Sequence, residues 1–211
     1  MNATVVTAVE RYFRLYARHL SSPDLDSLLA MLESLHGLND KLRTKVQIDL
    51  FGSDAFTALK ALRNFFHHEE EMFHRVRILP FARMRGAQSD LLFACLVERE
   101  LVDRALSKVQ STKSANAVGT MNWYGPIVDI QPCLYNAAVD VYEAIAPLDL
   151  GSLEPHFQMF RDSYERETGL GVPHKVSGRI ITRAGDATAV LMEAFLSAPS
   201  PPASSAGRSD P

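Results

Sequence analysis

Apolar residues recur at helical intervals through most of the chain, and charged or polar side chains separate them. This spacing is typical of helices that bury one face. Capping residues and prolines stand where several repeats begin, and glycines at 37 and 52 stand where two of them stop. The pattern predicts helices over residues 5–20, 23–36, 39–50, 54–79, 90–110, 132–146, 153–168 and 186–197.

These repeats predict an all-α fold, an up-and-down bundle of about six to eight helices that occupies residues 1–197. Between residues 111 and 131 the composition shifts to Ser, Asn, Gly and Pro, which predicts a long loop of a functional or mobile kind. A short extended segment is predicted at residues 179–182. The tail, residues 198–211, has almost no apolar bulk and is predicted to be disordered.

Composition and charge indicate a globular protein with a hydrophobic core and free cysteines. A hydrophobic content of 46% in 211 residues is enough for a real core. The net charge of −3 gives no overall field that would hold the protein on nucleic acid, so any contact with RNA must be local. Cys95 and Cys133 lie in apolar patterns without a CxxC neighbour, which predicts buried free thiols.

The first twenty residues carry one acidic and three basic side chains and lack the uncharged apolar stretch of a signal peptide or membrane span. The sequence therefore predicts a cytoplasmic protein without a membrane partner.

The segment Leu62-Arg63-Asn64-Phe65-Phe66-His67-His68 places four polar groups on one side of a predicted helix. At about 100° per residue, Arg63 nearly eclipses His67, and Asn64 nearly eclipses His68. Histidine can transfer protons near neutral pH, and arginine can hold a phosphate and offset developing charge. Asn64 could orient the His68 ring or hold a phosphate oxygen. This combination suits metal-free cleavage of RNA.

Residues 63–68 resemble the RNxxxH motif of HEPN proteins, with His68 as the motif histidine, and the apolar approach at 58–62 is similar as well. The resemblance implies catalytic roles for Arg63, Asn64 and His68 without a metal or other cofactor. It also implies a homodimer in which two motifs form one ribonuclease site. The implied role is that of a toxin with a cognate inhibitor protein, a phage-defence effector or an RNA-processing enzyme. The acidic run at 69–71 departs from a phosphate-binding surface and leaves a non-catalytic binding module open.

A basic stretch follows the motif, because no acidic residue occurs between Met72 and Ser89. Such a cluster can contact several phosphates at once, although a basic surface loop around Pro80 explains it equally well. The predicted RNA-binding residues are Arg75, Arg77, Arg83 and Arg85. In the predicted loop, Trp123 and Tyr124 either stack on unpaired bases or anchor the loop on the core.

Two other function classes remain open at this point. Two ExxH pairs are similar to those of ferritin-like bundles, in which such pairs and single carboxylates bind two metal ions. The second class is a helical protein-interaction module without chemistry of its own. The residues of the di-metal alternative are Glu33 and His36, Glu71 and His74, Glu10, and Asp40 or Asp49.

Overall fold

A computed structural model of the chain describes residues 3–68, 75–84, 86–148, 150–151, 153–183 and 185–198, with His68 and Ser111 described in their backbone alone. These ranges contain eight α-helices and six short β-strands. The helices are α1 (Ala3–Ser21), α2 (Leu25–Val46), α3 (Asp54–His68), α4 (Arg99–Leu106), α5 (Ser111–Val118), α6 (Gln131–Ile145), α7 (Pro155–Leu170) and α8 (Ala187–Ser197). The strands are β1 (Val76–Pro80), β2 (Ala87–Gln88), β3 (Phe93–Glu98), β4 (Asn122–Tyr124), β5 (Ile127–Asp129) and β6 (Ile181–Thr182).

Helix α2 is one continuous helix that packs along α1. Asp24 and Ser27 form a reciprocal capping box at its first turn. The predicted break at Gly37 and the separate helix 39–50 are wrong. A glycine inside a helix costs only about 1 kcal/mol, and the buried stripe of α2 continues through it from Leu35 to Leu42.

Helix α3 begins where predicted, with the Ser53 hydroxyl accepting a hydrogen bond from the Phe56 amide. Its predicted continuation to residue 79 is wrong, because Val76–Pro80 is the strand β1. The predicted helix 90–110 is wrong in its first half, which forms β3, and α4 follows directly. Residues 69–74 lie outside the described part of the chain.

The strands correct the all-α prediction: the protein is mostly helical and contains a small antiparallel sheet. The sheet has the order β1-β3-β5-β4, with Ile78 opposite Cys95 and Val97 opposite Val128. Residues 111–131, predicted as a loop, form α5 and the β4–β5 hairpin. A separate pair joins β2 to β6, which confirms the extended piece predicted at 179–182.

The two faces of the sheet belong to two apolar cores. Cys95 and Val97 on one face of β3 join the main core with the helices, and Ala94 and Leu96 on the other face join a smaller core closed by α8. Because both faces of β3 are buried, its sequence from Phe93 to Val97 is apolar at every position. Both cysteines are free and buried, as predicted.

The last three helices agree with the sequence pattern. Helix α6 begins with Pro132 in its first turn, and α7 ends at Gly171, whose φ of 65° closes it in the left-handed region. The tail predicted to be disordered lies outside the described residues from position 199 onward. Across the described ranges, no helix combines the length and the apolar character that crossing a membrane requires.

Candidate functional site

Arg63 and Glu33 form a bidentate ion pair across the packed helices α3 and α2. Arg63 Nε donates to Glu33 Oε1 at 2.8 Å, and Arg63 Nη2 donates to Glu33 Oε2 at 2.6 Å. The hydrogen bonds from Arg63 lower the pKa of the Glu33 carboxyl, which therefore stays ionised near neutral pH. The pair fixes the guanidinium in one orientation at the surface, where 21% of the Arg63 side chain is exposed.

Asn64 adds a third acceptor, since its Oδ1 lies 3.2 Å from Arg63 Nη1. Three of the five guanidinium N–H groups thus donate to described residues. One N–H group on each terminal nitrogen has no acceptor among the described residues.

Two imidazoles lie near this ion pair. The charges of His67 and His36 add to the effect of Arg63 in lowering the pKa of Glu33, so both rings are within electrostatic reach of the carboxylate. His36 Nε2 lies 3.8 Å from Asp40 Oδ2, and its Nδ1 is buried without a hydrogen-bond partner among the described residues. We call Glu33, His36, Arg63, Asn64 and His67 the Arg63 cluster.

The structure brings part of the predicted motif together. Arg63, Asn64 and His67 lie on the side of α3 that meets the polar edge of α2. His68 closes α3 in its backbone, and its side chain is outside the described part of the structure. The catalytic assignment of His68 therefore stays a prediction.

A groove between α1 and α2 borders the cluster. It has a volume of about 460 Å³, and its lining includes Arg11, Lys41 and Glu33. Glu33 therefore contacts both the groove and the guanidinium. Sequence reasoning missed Arg11 and Lys41, because their proximity depends on how α1 packs against α2. It also missed the pairing of Glu33 with Arg63, which joins residues 30 positions apart.

The four predicted RNA-binding arginines have different surroundings. Arg75 Nη2 pairs with Glu98 at 2.6 Å and with Glu100 at 3.8 Å. Arg77 donates to the Val76 carbonyl and lies over the Phe195 ring at 5.4 Å. Arg83 is exposed on a short 3-10 turn, Phe81–Arg83, and Arg85 is outside the described residues. Arg75 and Arg77 thus already have intramolecular partners.

Trp123 and Tyr124 both anchor the β4–β5 hairpin. Trp123 Nε1 donates to the Val118 carbonyl, and the Arg99 guanidinium lies 5.4 Å from its ring. The Tyr124 hydroxyl accepts a hydrogen bond from the Ile180 amide. These contacts favour the anchoring role over stacking on bases.

A separate group of polar side chains is buried under the sheet. Asp129 Oδ1 accepts hydrogen bonds from the amides of Cys95 and Gln131, at 2.9 and 3.0 Å. Burial raises the pKa of Asp129 from 3.8 to about 7. Burial also lowers the pKa of His19, whose Nδ1 lies 2.9 Å from the Ser27 hydroxyl, from 6.5 to about 4. Both side chains are fully enclosed, so they act on folding stability rather than on a ligand.

The di-metal alternative loses its first ExxH pair, because Glu33 is held by Arg63. The second pair, Glu71 and His74, lies outside the described residues. Within the ranges that are described, no three His, Cys, Asp or Glu side chains come together as metal ligands.

Comparisons with protein-family models, curated proteins and solved structures gave no significant match.

Proposed function

We propose that the protein is a HEPN-type, metal-independent ribonuclease that acts on RNA in the cytoplasm, with Arg63, Asn64 and His68 as its catalytic residues. The observation that carries this proposal is the fixed surface guanidinium of Arg63, held at 2.6 and 2.8 Å by Glu33. A permanent cation that is held in one orientation can bind the scissile phosphate and offset the charge that develops on it during cleavage without a metal.

Arg63 serves as the phosphate clamp. Its two remaining N–H groups point from the terminal nitrogens, and a phosphate oxygen can accept from them while the Glu33 pair stays intact. Because Glu33 already fixes the side chain, binding of phosphate orders little additional structure. Asn64 holds the same guanidinium through its Oδ1, and its amide N–H groups can donate to a phosphate oxygen.

His68 serves as the general acid and base. It follows Arg63 by five positions on α3, a spacing that predicts a position at the edge of the helical arc that carries the Arg63 cluster. An imidazole can take the 2′-hydroxyl proton and later protonate the leaving 5′-oxygen, so no metal-bound water is needed.

The groove between α1 and α2 offers a path for the RNA strand. Arg11 and Lys41 are exposed and basic, and they line the groove that Glu33 borders. These two cations, beside Arg63, can neutralise neighbouring phosphates. Because the net charge of the protein is −3, binding of RNA has to rely on such a local basic surface. A homodimer would place two such sites together, and a toxin or defence role with an inhibitor protein follows from the family resemblance.

The competing function is a helical interaction module, and the same ion pair favours it. A surface arginine bound to a glutamate also serves to join two helices. The two functions differ in what the loss of Arg63 would change. In a ribonuclease the substitution abolishes cleavage, whereas in an interaction module it changes only stability.

Cleavage of labelled single-stranded RNA by purified protein in excess EDTA tests the proposal. Arg63→Ala should lower the rate by about a hundredfold or more, and Arg63→Lys should lower it nearly as far because lysine lacks the planar fork. Arg99→Ala is the matched control, since Arg99 is an exposed arginine paired with Asp103 on α4. Equal rates for wild type and Arg63→Ala, or no cleavage of any RNA by wild type, would favour the interaction module.

A further inference from the structure

A polar pocket lies where strand β4, the first turns of α6 and residues 176–179 meet, and the proposed function does not use it. Its volume is about 330 Å³, and Asn122, Asn136 and Arg179 are among the residues that line it. We call it the Arg179 pocket. Arg179 is the one charged residue among its described lining residues. A pocket of this size with a few convergent polar groups suits a small molecule.

The segment 176–179, which forms one wall of the pocket, is held in place by asparagine side chains from two other elements. Asn136 on α6 donates from Nδ2 to the Val176 carbonyl at 3.0 Å, and its Oδ1 accepts from the Val176 amide at 2.9 Å. Asn122 on β4 donates from Nδ2 to the Ser177 carbonyl at 3.0 Å. These contacts fix the backbone that carries Arg179, so binding of a ligand has little backbone to order.

The unused hydrogen-bonding groups of the pocket are mainly donors. The Arg179 side chain is exposed, and its guanidinium has no hydrogen bond or ion pair with a described residue. Asn122 and Asn136 each use one amide N–H group on the segment 176–179, and the other has no acceptor in the described part of the chain. The nearby carboxylate of Asp90 accepts from the amide and hydroxyl of Ser177 and does not line the pocket. A cation beside unused donors favours an anionic ligand.

We propose that the Arg179 pocket binds the phosphate group of a free sugar phosphate. The planar guanidinium can donate to two phosphate oxygens, and the amides of Asn122 and Asn136 can donate to the third. Asn122 Oδ1 has no donor among the described residues and can accept from a sugar hydroxyl. A phosphate group alone fills only part of about 330 Å³, which leaves room for a sugar. One cation suits a single phosphate group, whereas a nucleic-acid strand is bound by several cations along its backbone.

Isothermal titration of the full chain with matched probes tests this proposal. Glucose 6-phosphate, glucuronate and glucose share one ring and carry a phosphate, a carboxylate and a neutral hydroxyl at the same end. We expect glucose 6-phosphate to bind at least about tenfold more tightly than glucuronate, with glucose weakest. Inorganic phosphate should bind more weakly than glucose 6-phosphate, because it lacks the sugar. A 5′-phosphorylated, 2′-O-methylated trinucleotide carries the same phosphate on an RNA end that cannot be cleaved, and it should also bind more weakly.

Variants of two exposed arginines locate the binding. Arg179→Gln should weaken binding of glucose 6-phosphate by about tenfold or more, and Arg179→Lys should weaken it less, because lysine keeps the charge but lacks the planar fork. Arg183→Gln is the matched control, because Arg183 is also exposed, lies four positions further along and does not line the pocket. Its affinity should equal that of wild type, and RNA cleavage should not change in any of these variants.

Four results would overturn the proposal. They are unchanged affinity for glucose 6-phosphate in Arg179→Gln, binding of glucuronate or inorganic phosphate as tight as that of glucose 6-phosphate, no binding of glucose 6-phosphate up to about 10 mM, and tighter binding of the trinucleotide. The last result would assign the Arg179 pocket to RNA instead of a free sugar phosphate.

Discussion

Two buried ionisable side chains should contribute opposite pH dependences to the stability of this protein, and the two contributions should largely cancel. Asp129 and His19 are both fully enclosed. Burial raises the pKa of Asp129 to about 7, and burial lowers the pKa of His19 to about 4. Removing one of the two should uncover the pH dependence of the other.

The signs follow from where each proton is held. The unfolded chain releases the Asp129 proton near its ordinary pKa of 3.8, but the folded protein keeps it up to about pH 7, so stability falls as the pH rises through this window. The unfolded chain binds a proton on His19 near its ordinary pKa of 6.5, but the folded protein does so only near pH 4, so stability falls as the pH drops. At about 1.4 kcal/mol per pH unit, each group changes the free energy of unfolding by on the order of 2 kcal/mol between pH 5 and pH 7.

Urea unfolding at pH 5, 6 and 7 measures these contributions. Asp129→Asn keeps an oxygen for the amides of Cys95 and Gln131, and it should lose about 2 kcal/mol more than wild type when the pH drops from 7 to 5. His19→Asn should instead gain stability relative to wild type over the same drop. Asp26→Asn, at an exposed position on α2, should follow wild type. If both buried-site variants keep the pH profile of wild type, the assigned protonation states are wrong.

Three further predictions concern packing and assembly. Gly178→Ala should destabilise the fold by roughly 1–3 kcal/mol more than Gly171→Ala, as measured by urea unfolding. Both glycines have positive φ, but a Cβ at Gly178 would clash with the Pro132 ring, whereas a Cβ at Gly171 has no heavy atom within 4 Å. Equal losses of stability would contradict this contact. Leu62→Ala should cost about 2–5 kcal/mol by the same measurement, since Leu62 is fully buried on α3, and a loss below about 1 kcal/mol would place it outside the core. Light scattering at high micromolar concentration should give the mass of a dimer, which a composite site on a two-fold axis requires, and a strict monomer would count heavily against such a site.

Helices that bury one face next to clear caps could be predicted from the sequence. The sequence pattern predicts the bounds of α6 and α8 to within a residue or two. Pro132 and Asp186 mark where their apolar stripes begin, and neither helix contains a glycine. The predicted end of a helix at Gly37 is wrong, because α2 continues through this residue. A glycine in the sequence looks the same whether it ends a helix or lies inside one. Packing against α1 decides between the two, and packing is not visible in a local pattern.

The sheet could not be predicted from local spacing. The run from Phe93 to Val97 is buried on both faces, so it lacks the alternation that marks a strand with one face in water. Its partners are distant, since β3 pairs with β1 at Val76 and with β5 at Ile127. Only the pairing of distant segments distinguishes such a run from a buried helix.

The candidate site was predicted in part. The helical spacing of residues 63–67 placed Arg63, Asn64 and His67 on one side of α3, where the structure also has them. The local pattern around Glu33 is its ExxH spacing with His36, which predicts a metal ligand. Its role as the partner of Arg63 depends on the packing of α2 against α3.

The measurement that tests the ribonuclease proposal most directly is the ratio of RNA cleavage rates between His68→Ala and His67→Ala in excess EDTA. The two substitutions remove the same side chain from adjacent positions of α3. The proposal predicts that His68→Ala cleaves about a hundredfold or more slowly than wild type, while His67→Ala retains most of the activity. Equal activity of His68→Ala and wild type, or an activity that EDTA abolishes, would contradict it.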